Sequence, residues 1–459
     1  MRYLKKEHTQ KNDQTAGGLE AFRTMPVAQA VLQNALPAMA AMLMVLIYNL
    51  ADTFFIGQTH NDILVAAVSL ATPIFLIFMS LGNVFGIGGT SVIARAIGEG
   101  NIDYAKKVCA FCMWGCVIAS AVLSVLFLLF MDQILTAAGA SADTWEPARQ
   151  YLVIVSMGGI FTVLANCFSN ILRAEGEPGK AMAGQVLGNL LNIVLDPVLI
   201  LALDWGIAGA AIATLLGNLA GAMYYILYYL RGSSQLSIHP REVTVRGKVC
   251  SSVLAIGVPA SLGSLLMSVS QIIMNMHMAG YGDMALAAIG VAMKVTMMTG
   301  VVCMGFAMGV QPLLGYCVGA KLWQRFKRTL RFSLAFTFGM SLFMTIVCYL
   351  LTNQIVGVFL TEAASFDYAV RFVYILLSTG AFIGVFFMLC NTLQAMGAAT
   401  EALIVNMSRQ GLIYIPVLFV MEYAIGVTGL VWAQPVADVL STTLVAVLCF
   451  RKIGKLMRA

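Results

Sequence analysis

Apolar runs long enough to cross a hydrocarbon core as helices recur along almost the whole chain. A span takes roughly 20 residues at about 1.5 Å per residue. Such runs fall at 27–56, 62–88, 106–130, 149–172, 180–203, 207–230, 249–279, 285–312, 329–352, 367–394, 402–421 and 427–450. Inside a bilayer each backbone N–H and C=O must be satisfied by the protein itself, so continuous runs of this length must be helices. The alternating pattern of a membrane β-barrel is not present. The chain is 60% hydrophobic and 10% charged, where a soluble domain carries roughly 25% charge. The fold class is therefore an all-α membrane protein with twelve transmembrane helices. Residues 1–24 are polar and lack a signal-peptide core, so the first span is expected to direct insertion.

Basic residues set the orientation. Arg2, Lys5, Lys6, Lys11 and Arg23 precede span one, and Arg95, Lys106 and Lys107 follow span two. Arg173 and Lys180 follow span four, and Arg231, Arg241, Arg246 and Lys248 follow span six. Lys321, Arg325, Lys327, Arg328 and Arg331 follow span eight, and Arg451, Lys452, Lys455 and Arg458 close the chain. The intervening loops are nearly free of Lys and Arg, which places both termini in the cytoplasm. The net charge of +6 follows this membrane pattern and is no sign of nucleic-acid binding.

The chain also repeats itself. Pro37-Ala38 aligns with Pro259-Ala260, Asn49 with Gln271, Gly82 and Gly86 with Gly305 and Gly309. Lys106-Lys107 aligns with Lys327-Arg328, Asn170 and Gly176 with Asn391 and Gly397, and Gly206–Gly209 with Gly426–Gly429. The offset stays within a few residues of 221 throughout. Six spans per repeat is an even number, so both copies insert the same way up. Two pseudo-symmetric six-helix bundles around a central cavity are expected. The N-terminal lobe is read at 25–231 and the C-terminal lobe at 249–450, joined by a cytoplasmic linker at 232–248, with tails at 1–24 and 451–459.

Most of the ten cysteines lie in apolar runs, which suits small packing residues better than a disulfide framework. Cys109, Cys112 and Cys116 share a helical face and are read the same way. His8, His60 and His239 fall in tails or loops, and His277 near a span end. No His-Glu-x-x-His or nucleophile–base pattern points to an enzyme, and no cofactor is expected.

Few acids lie within spans. Asp52 is in span one, Asp196 in span five and Asp438 in span twelve; Glu401 and Glu422 sit at span ends. A carboxylate at such depth costs about 2.5–3.5 kcal/mol on insertion scales unless it has water or a partner. Asn189, Asn192 and Asp196 share one helical face, with apolar residues between. Spans one and five both run outward, which puts Asp52 and Asp196 about 6 and 10 Å below the outer surface at 1.5 Å per residue. Thr214, on the inward-running span six, falls at a similar depth. Two carboxylates, an amide and a hydroxyl thus share one level of the N-terminal lobe. These are oxygen ligands, as a hard cation requires, and two neighbouring acids also suit a proton site. Taken one by one, each acid could merely cap a backbone break near the outer surface; taken together, their shared depth favours a Na⁺ or H⁺ site at Asp52, Asn192, Asp196 and Thr214.

The chain resembles the multidrug and toxic compound extrusion (MATE) family. The resemblance rests on Asn49-Leu-Ala-Asp52 with Gly57, Leu172-Arg-Ala-Glu-Gly-Glu-Pro178, Asn192-x-x-x-Asp196-Pro197 and Gly209-Ala-Ala-Ile-Ala-Thr214, and it runs through all twelve spans. It implies a secondary antiporter of a bacterial plasma membrane that exports cationic, amphipathic drugs in exchange for Na⁺ or H⁺. It also implies that Asp52, Asn192, Asp196 and Thr214 form the cation site, and that Pro37 marks a bend in the first helix. The second repeat has Met274 in place of Asp52, and the equivalent of Asp196 falls near Pro416. That departs from the branch with essential acids in the C-terminal lobe and matches the bacterial branch with N-lobe coupling.

Spans seven and eight are rich in Met, a side chain that adapts to irregular ligands. Asn166, Asn189, Gln271, Met274, Met293 and Met297 are the candidate substrate-cavity residues. Lys294 and Arg409 are intramembrane cations; the sequence leaves open whether Lys294 pairs, snorkels or gates. A flippase for lipid-linked precursors is the competing transport reading and would want a longer basic groove. A membrane-embedded enzyme is disfavoured. The transporter is expected to work as a monomer in the lipid bilayer.

Overall fold

A computed structural model describes residues 22–59, 61–232, 234–244, 248–359 and 363–458. Most of the tail read at 1–24, and also His60 and Arg246, lie outside the described residues. The described residues are helical almost throughout. In chain order the helices are α1 (Val27–Gly57), α2 (Asp62–Gly98), α3 (Ile102–Leu129), α4 (Met131–Ala137), α5 (Ala142–Ala174), α6 (Pro178–Asp196) and α7 (Gly206–Leu230). The second half follows with α8 (Val249–Ala279), α9 (Asp283–Gly319), α10 (Trp323–Leu350), α11 (Thr352–Phe359), α12 (Ala363–Leu377), α13 (Gly380–Ala395), α14 (Ala399–Met407), α15 (Tyr414–Ile425) and α16 (Val427–Leu456). Wider π-helical turns continue α6 at Pro197–Ala202 and join α14 to α15 at Ser408–Leu412.

Among the described residues, eleven helices are long and apolar enough to cross a membrane, counting α6 and α14–α15 with their π turns as single spans. The twelfth is a pair, Ser365–Leu377 and Gly380–Ala395, bent by 47°. Span ten, read at 367–394 as one helix, is therefore broken at Ser378-Thr379, where Gly380 opens the second half. The second span and its counterpart run on to Gly98 and Gly319 instead of ending at 88 and 312. The short helices α4 and α11 had no counterpart in the hydropathy pattern, because each is one or two turns long.

Helix ends follow local chemistry. Asn61 caps α2 and Asn101 caps α3, each accepting a backbone N–H at 3.1 Å. Ser141 and Thr144 form a reciprocal capping box at the start of α5. The repeat reappears at the level of backbone dihedrals. Gly176 and Gly397 have φ of 87° and 69°, and Gly206 and Gly426 have 49° and 62°. Gly100 (77°) has Lys321 (54°) as its counterpart. Positive-φ turns thus punctuate the helices at matching places in both copies, and Lys321 adopts without glycine a conformation that costs an ordinary side chain energy.

The helices group into two compact units. One holds Ala40–Ser261; the other holds Pro26–Met39 with Leu262–Ala459. Each copy thus lends the start of its first helix to the other unit, and the unit boundaries differ from the lobes read at 25–231 and 249–450. Glycines make this possible. A Cβ on Gly257 of α8 would lie 1.8 Å from the Val84 carbonyl oxygen of α2, within the first unit. A Cβ on Gly309 of α9 would lie 2.6 Å from the Asn34 carbonyl oxygen of α1, within the second. Such close backbone approach is how helices associate where lipid removes the hydrophobic drive.

Within the first unit, α2 and α5 make the most extensive contact, and α7 packs on α5 and α6. Gly82 and Gly86 face Asn166 and Asn170, and Gly159 faces the Phe78 ring. The linker is tied to this unit through Glu175, which caps α5. Its Oε1 accepts from Ser234 Oγ (2.5 Å) and from the Gln235 backbone N–H (2.8 Å). Burial pushes the Glu175 carboxyl up to about 7, against the opposing effect of those two hydrogen bonds. In the second unit the core gathers around Met274, Ile289, Phe372, Val373, Tyr414 and Leu418, with Phe306 stacked on Phe336 at 4.9 Å.

Candidate functional site

The site begins at the end of α6. Asp196 is its last α-helical residue and Pro197 follows. Proline has no N–H to return to the preceding turn, and here the helix widens into a π turn over Pro197–Ala202. Single π turns of this kind are frequent at functional sites. Gly209 on α7 lets that turn approach, since a Cβ there would lie 2.7 Å from the Leu199 carbonyl oxygen.

Three of the four residues read from the sequence meet directly. Asn192 Nδ2 donates to Thr214 Oγ1 at 3.3 Å and reaches Asp196 Oδ1 at 3.5 Å. Asn192, Asp196 and Thr214 are 3%, 0% and 8% exposed, so they are shielded from bulk solvent. Asp52 joins from α1, near enough for its charge to act on Asp196. Its Oδ1, the Asn192 Oδ1 and the Asp196 Oδ2 are buried oxygens with no hydrogen-bond donor. Buried polar atoms without partners carry a cost of about 1–3 kcal/mol each. Three orphan acceptors from two helices, two of them carboxylate oxygens, form a donor set suited to Na⁺ or to protons.

Two residues of the site were missed in the sequence. The Tyr151 side chain, on α5, faces Thr214 and feels the charges of Asp52 and Asp196, as does Tyr48 on α1. Tyr48 stands one turn before Asp52 and was legible from that spacing. Tyr151 carries no local signal, since only the α5–α7 packing brings it there. Pro37 lies inside α1, which continues through it. The helix passes from the second unit to the first between Met39 and Ala40.

The candidate cavity residues separate. Asn166 Nδ2 donates to the Met79 carbonyl at 3.0 Å, tying α5 to α2. Asn189 Nδ2 is buried without a partner. Gln271 and Met297 are exposed, and Met293 is half-buried. Met274 is 1% exposed within the second unit's core, so it has no surface to offer a ligand. The reason is register: Met274 and Met278 face inward one turn apart, while Met276 between them is exposed. Met274→Ala is accordingly expected to lower folding stability by about 2 kcal/mol, the low end for such truncations. A thermal melt of the purified protein with no shift would return Met274 to the candidate cavity. Lys294 lies on an exposed side of α9. Cys109, Cys112 and Cys116 are buried, and Cys112 Sγ donates to the Phe85 carbonyl at 3.4 Å.

The fold is that of an integral membrane protein, and the comparisons with known proteins give its class as a transporter, not an enzyme. The MatE family model matches the chain twice, over residues 37–198 and 259–420. The chain belongs to that family, and the two matches fall on the two copies of the repeat. It is 30% identical over 417 residues to the multidrug export protein MepA of Staphylococcus aureus strain N315, covering 91% of this chain and 92% of that one. It is 29% identical, with the same coverage, to MepA of Staphylococcus saprophyticus. Among solved structures it superposes on an outward-facing multidrug resistance MATE family transporter with a TM-score of 0.91 at 23% identity, covering 96% and 99% of the chains. A transporter of the MOP superfamily from Pyrococcus furiosus gives 0.90 at 23% identity, covering 96% and 98%. At that identity these structures speak for the fold alone.

Proposed function

We propose that the protein is a secondary antiporter of a bacterial plasma membrane that exports cationic, amphipathic compounds in exchange for Na⁺ or H⁺. The carrying observation is the set of donorless buried oxygens on Asp52, Asn192 and Asp196 beside Thr214. The likeness to MepA multidrug export proteins supports drug export. The ion draws Asp52 of α1 to Asp196 of α6; its loss or replacement by a proton alters the repulsion between them. Bending of α1 at Pro37, two residues before that helix changes unit, would carry this change into alternating access. For exchange, ion and drug must favour different conformations, because a ligand with equal affinity for both shifts nothing.

The test is drug efflux from proteoliposomes under an imposed Na⁺ or pH gradient. Efflux driven by one gradient and collapsed with it is expected; efflux indifferent to both sinks the antiporter reading. Transbilayer movement of a lipid-linked precursor would favour the flippase instead. On this reading both termini face the cytoplasm, as the basic-residue pattern supports. In a chain freed of native cysteines, Ala142→Cys is then expected to label from outside sealed cells and Gln235→Cys not to label; the opposite result overturns the orientation.

A further inference from the structure

The second unit places a fixed cation where the first leaves room for an exchangeable one. In the first unit, spans five and six cross at Gly188 and Gly217. A Cβ on either would lie 2.7 or 2.6 Å from the other's carbonyl oxygen. One turn away are Asn192 and Thr214. Carried across the repeat, Gly188 falls on Arg409, Thr214 on Gln434, and Asn218 on Asp438, while Asn192 and Asp196 fall on Ile413 and Val417. Unlike the first, the second crossing lies at a broken helix, since Arg409 is part of the π turn Ser408–Leu412.

There the polar groups satisfy one another. Arg409 Nε donates to Asp438 Oδ1 at 2.8 Å, and Gln434 Nε2 donates to the same oxygen at 2.9 Å. The guanidinium carbon lies 4.9 Å from the centre of the Phe386 ring and 5.4 Å from that of Phe387. Tyr414 is close enough to feel Asp438, and Cys390 to feel Arg409. Asp438 is 5% exposed, so its charge needs a counter-cation. A cation on a side chain held against two aromatic faces cannot leave during a transport cycle.

We infer that Arg409 is a resident cation that closes the second unit to ion exchange, so that Asp438 takes no coupling ion and the protein exchanges cations at the first unit alone. This rests on the coupling role proposed for Asp196. It makes Arg409 a determinant of ion stoichiometry. Removing its charge leaves Asp438 to recruit Na⁺ or a proton.

The experiment counts cations bound by the purified full-length protein, with radiolabelled Na⁺ and with potentiometric proton titration. Arg409→Gln is expected to bind one cation more than wild type, also in an Asp196→Asn background. Arg409→Lys and the neutral pair Arg409→Gln/Asp438→Asn are expected to keep the wild-type number. An unchanged count in folded Arg409→Gln overturns the inference. Should that variant fail to fold, the neutral pair decides: loss of a bound cation or of coupled transport would make Asp438 a coupling site and overturn it. Asp196→Asn alone tests the underlying reading separately, since an unchanged count there removes the first-unit site without touching the Arg409→Gln difference.

Discussion

Asp196→Asn is expected to abolish ion-driven efflux while leaving the protein folded and able to bind drug. The substitution keeps the size and shape of the side chain and removes the charge. Asp196 is fully buried, and Asn192 Nδ2 reaches its Oδ1 at no less than 3.5 Å. Removing an uncompensated buried charge does not harm folding, so thermal stability without Na⁺ should be equal to wild type or higher. On the proposed coupling role, however, the cation loses a central ligand. Ion-dependent drug affinity should fall by about 5- to 150-fold, the range of a coupling free energy of roughly 1–3 kcal/mol. Asp52→Asn should act the same way, and the double variant should be no worse than either single one, because both serve one site. Drug binding and gradient-driven transport measured for all three decide the matter. Wild-type transport by Asp196→Asn, with unchanged ion dependence, would place coupling elsewhere.

The parts of this molecule that the sequence made legible are those set by one-dimensional physics. Span number follows from the length of hydrocarbon a helix must cross, and the buried polar stripe of Asn192 and Asp196 follows from helical spacing. Thr214 could be added because consecutive spans reverse direction, so depth is calculable. What stayed hidden depends on contacts between distant segments. The loan of 26–39 and 249–261 to the opposite units is written only in which glycine faces which backbone: Gly257 against Val84, Gly309 against Asn34. Tyr151 enters the site through packing of α5 on α7. Met274 and Met297 look alike in composition, yet one is core and the other exposed, since a helix apolar all round gives no moment to tell its faces apart. The break in span ten was masked because Ser378-Thr379 is too short a polar step to interrupt a hydropathy window. Arg409 and Asp438 were each visible as intramembrane charges; their pairing across 29 positions was not.

Gly217→Ala is expected to disable the cation site without changing any of its ligands. A Cβ at Gly217 would lie 2.6 Å from the Gly188 carbonyl oxygen and 3.1 Å from Asn192 Cβ. The first partner is backbone, which cannot rotate aside, so α7 must move away from α6. Thr214 stands on α7 and Asn192 on α6, and their hydrogen bond is already 3.3 Å long. A shift of a few tenths of an ångström takes it beyond useful length. Overpacking of this kind costs about 1–3 kcal/mol of stability. Cation affinity is expected to fall by at least about 10-fold, one tenfold step for each 1.4 kcal/mol of lost ligand geometry. Gly339→Ala provides the control: its Cβ would meet nothing within 4 Å, and in the helix interior alanine is the more favourable residue by about 1 kcal/mol. Thermal melts and Na⁺ or proton binding on both variants separate the effects. Gly217→Ala should lose both stability and affinity, and Gly339→Ala neither. If Gly217→Ala binds its cation as wild type does, the distance between α6 and α7 is not what holds Asn192 against Thr214, and the site tolerates a separation that this geometry forbids.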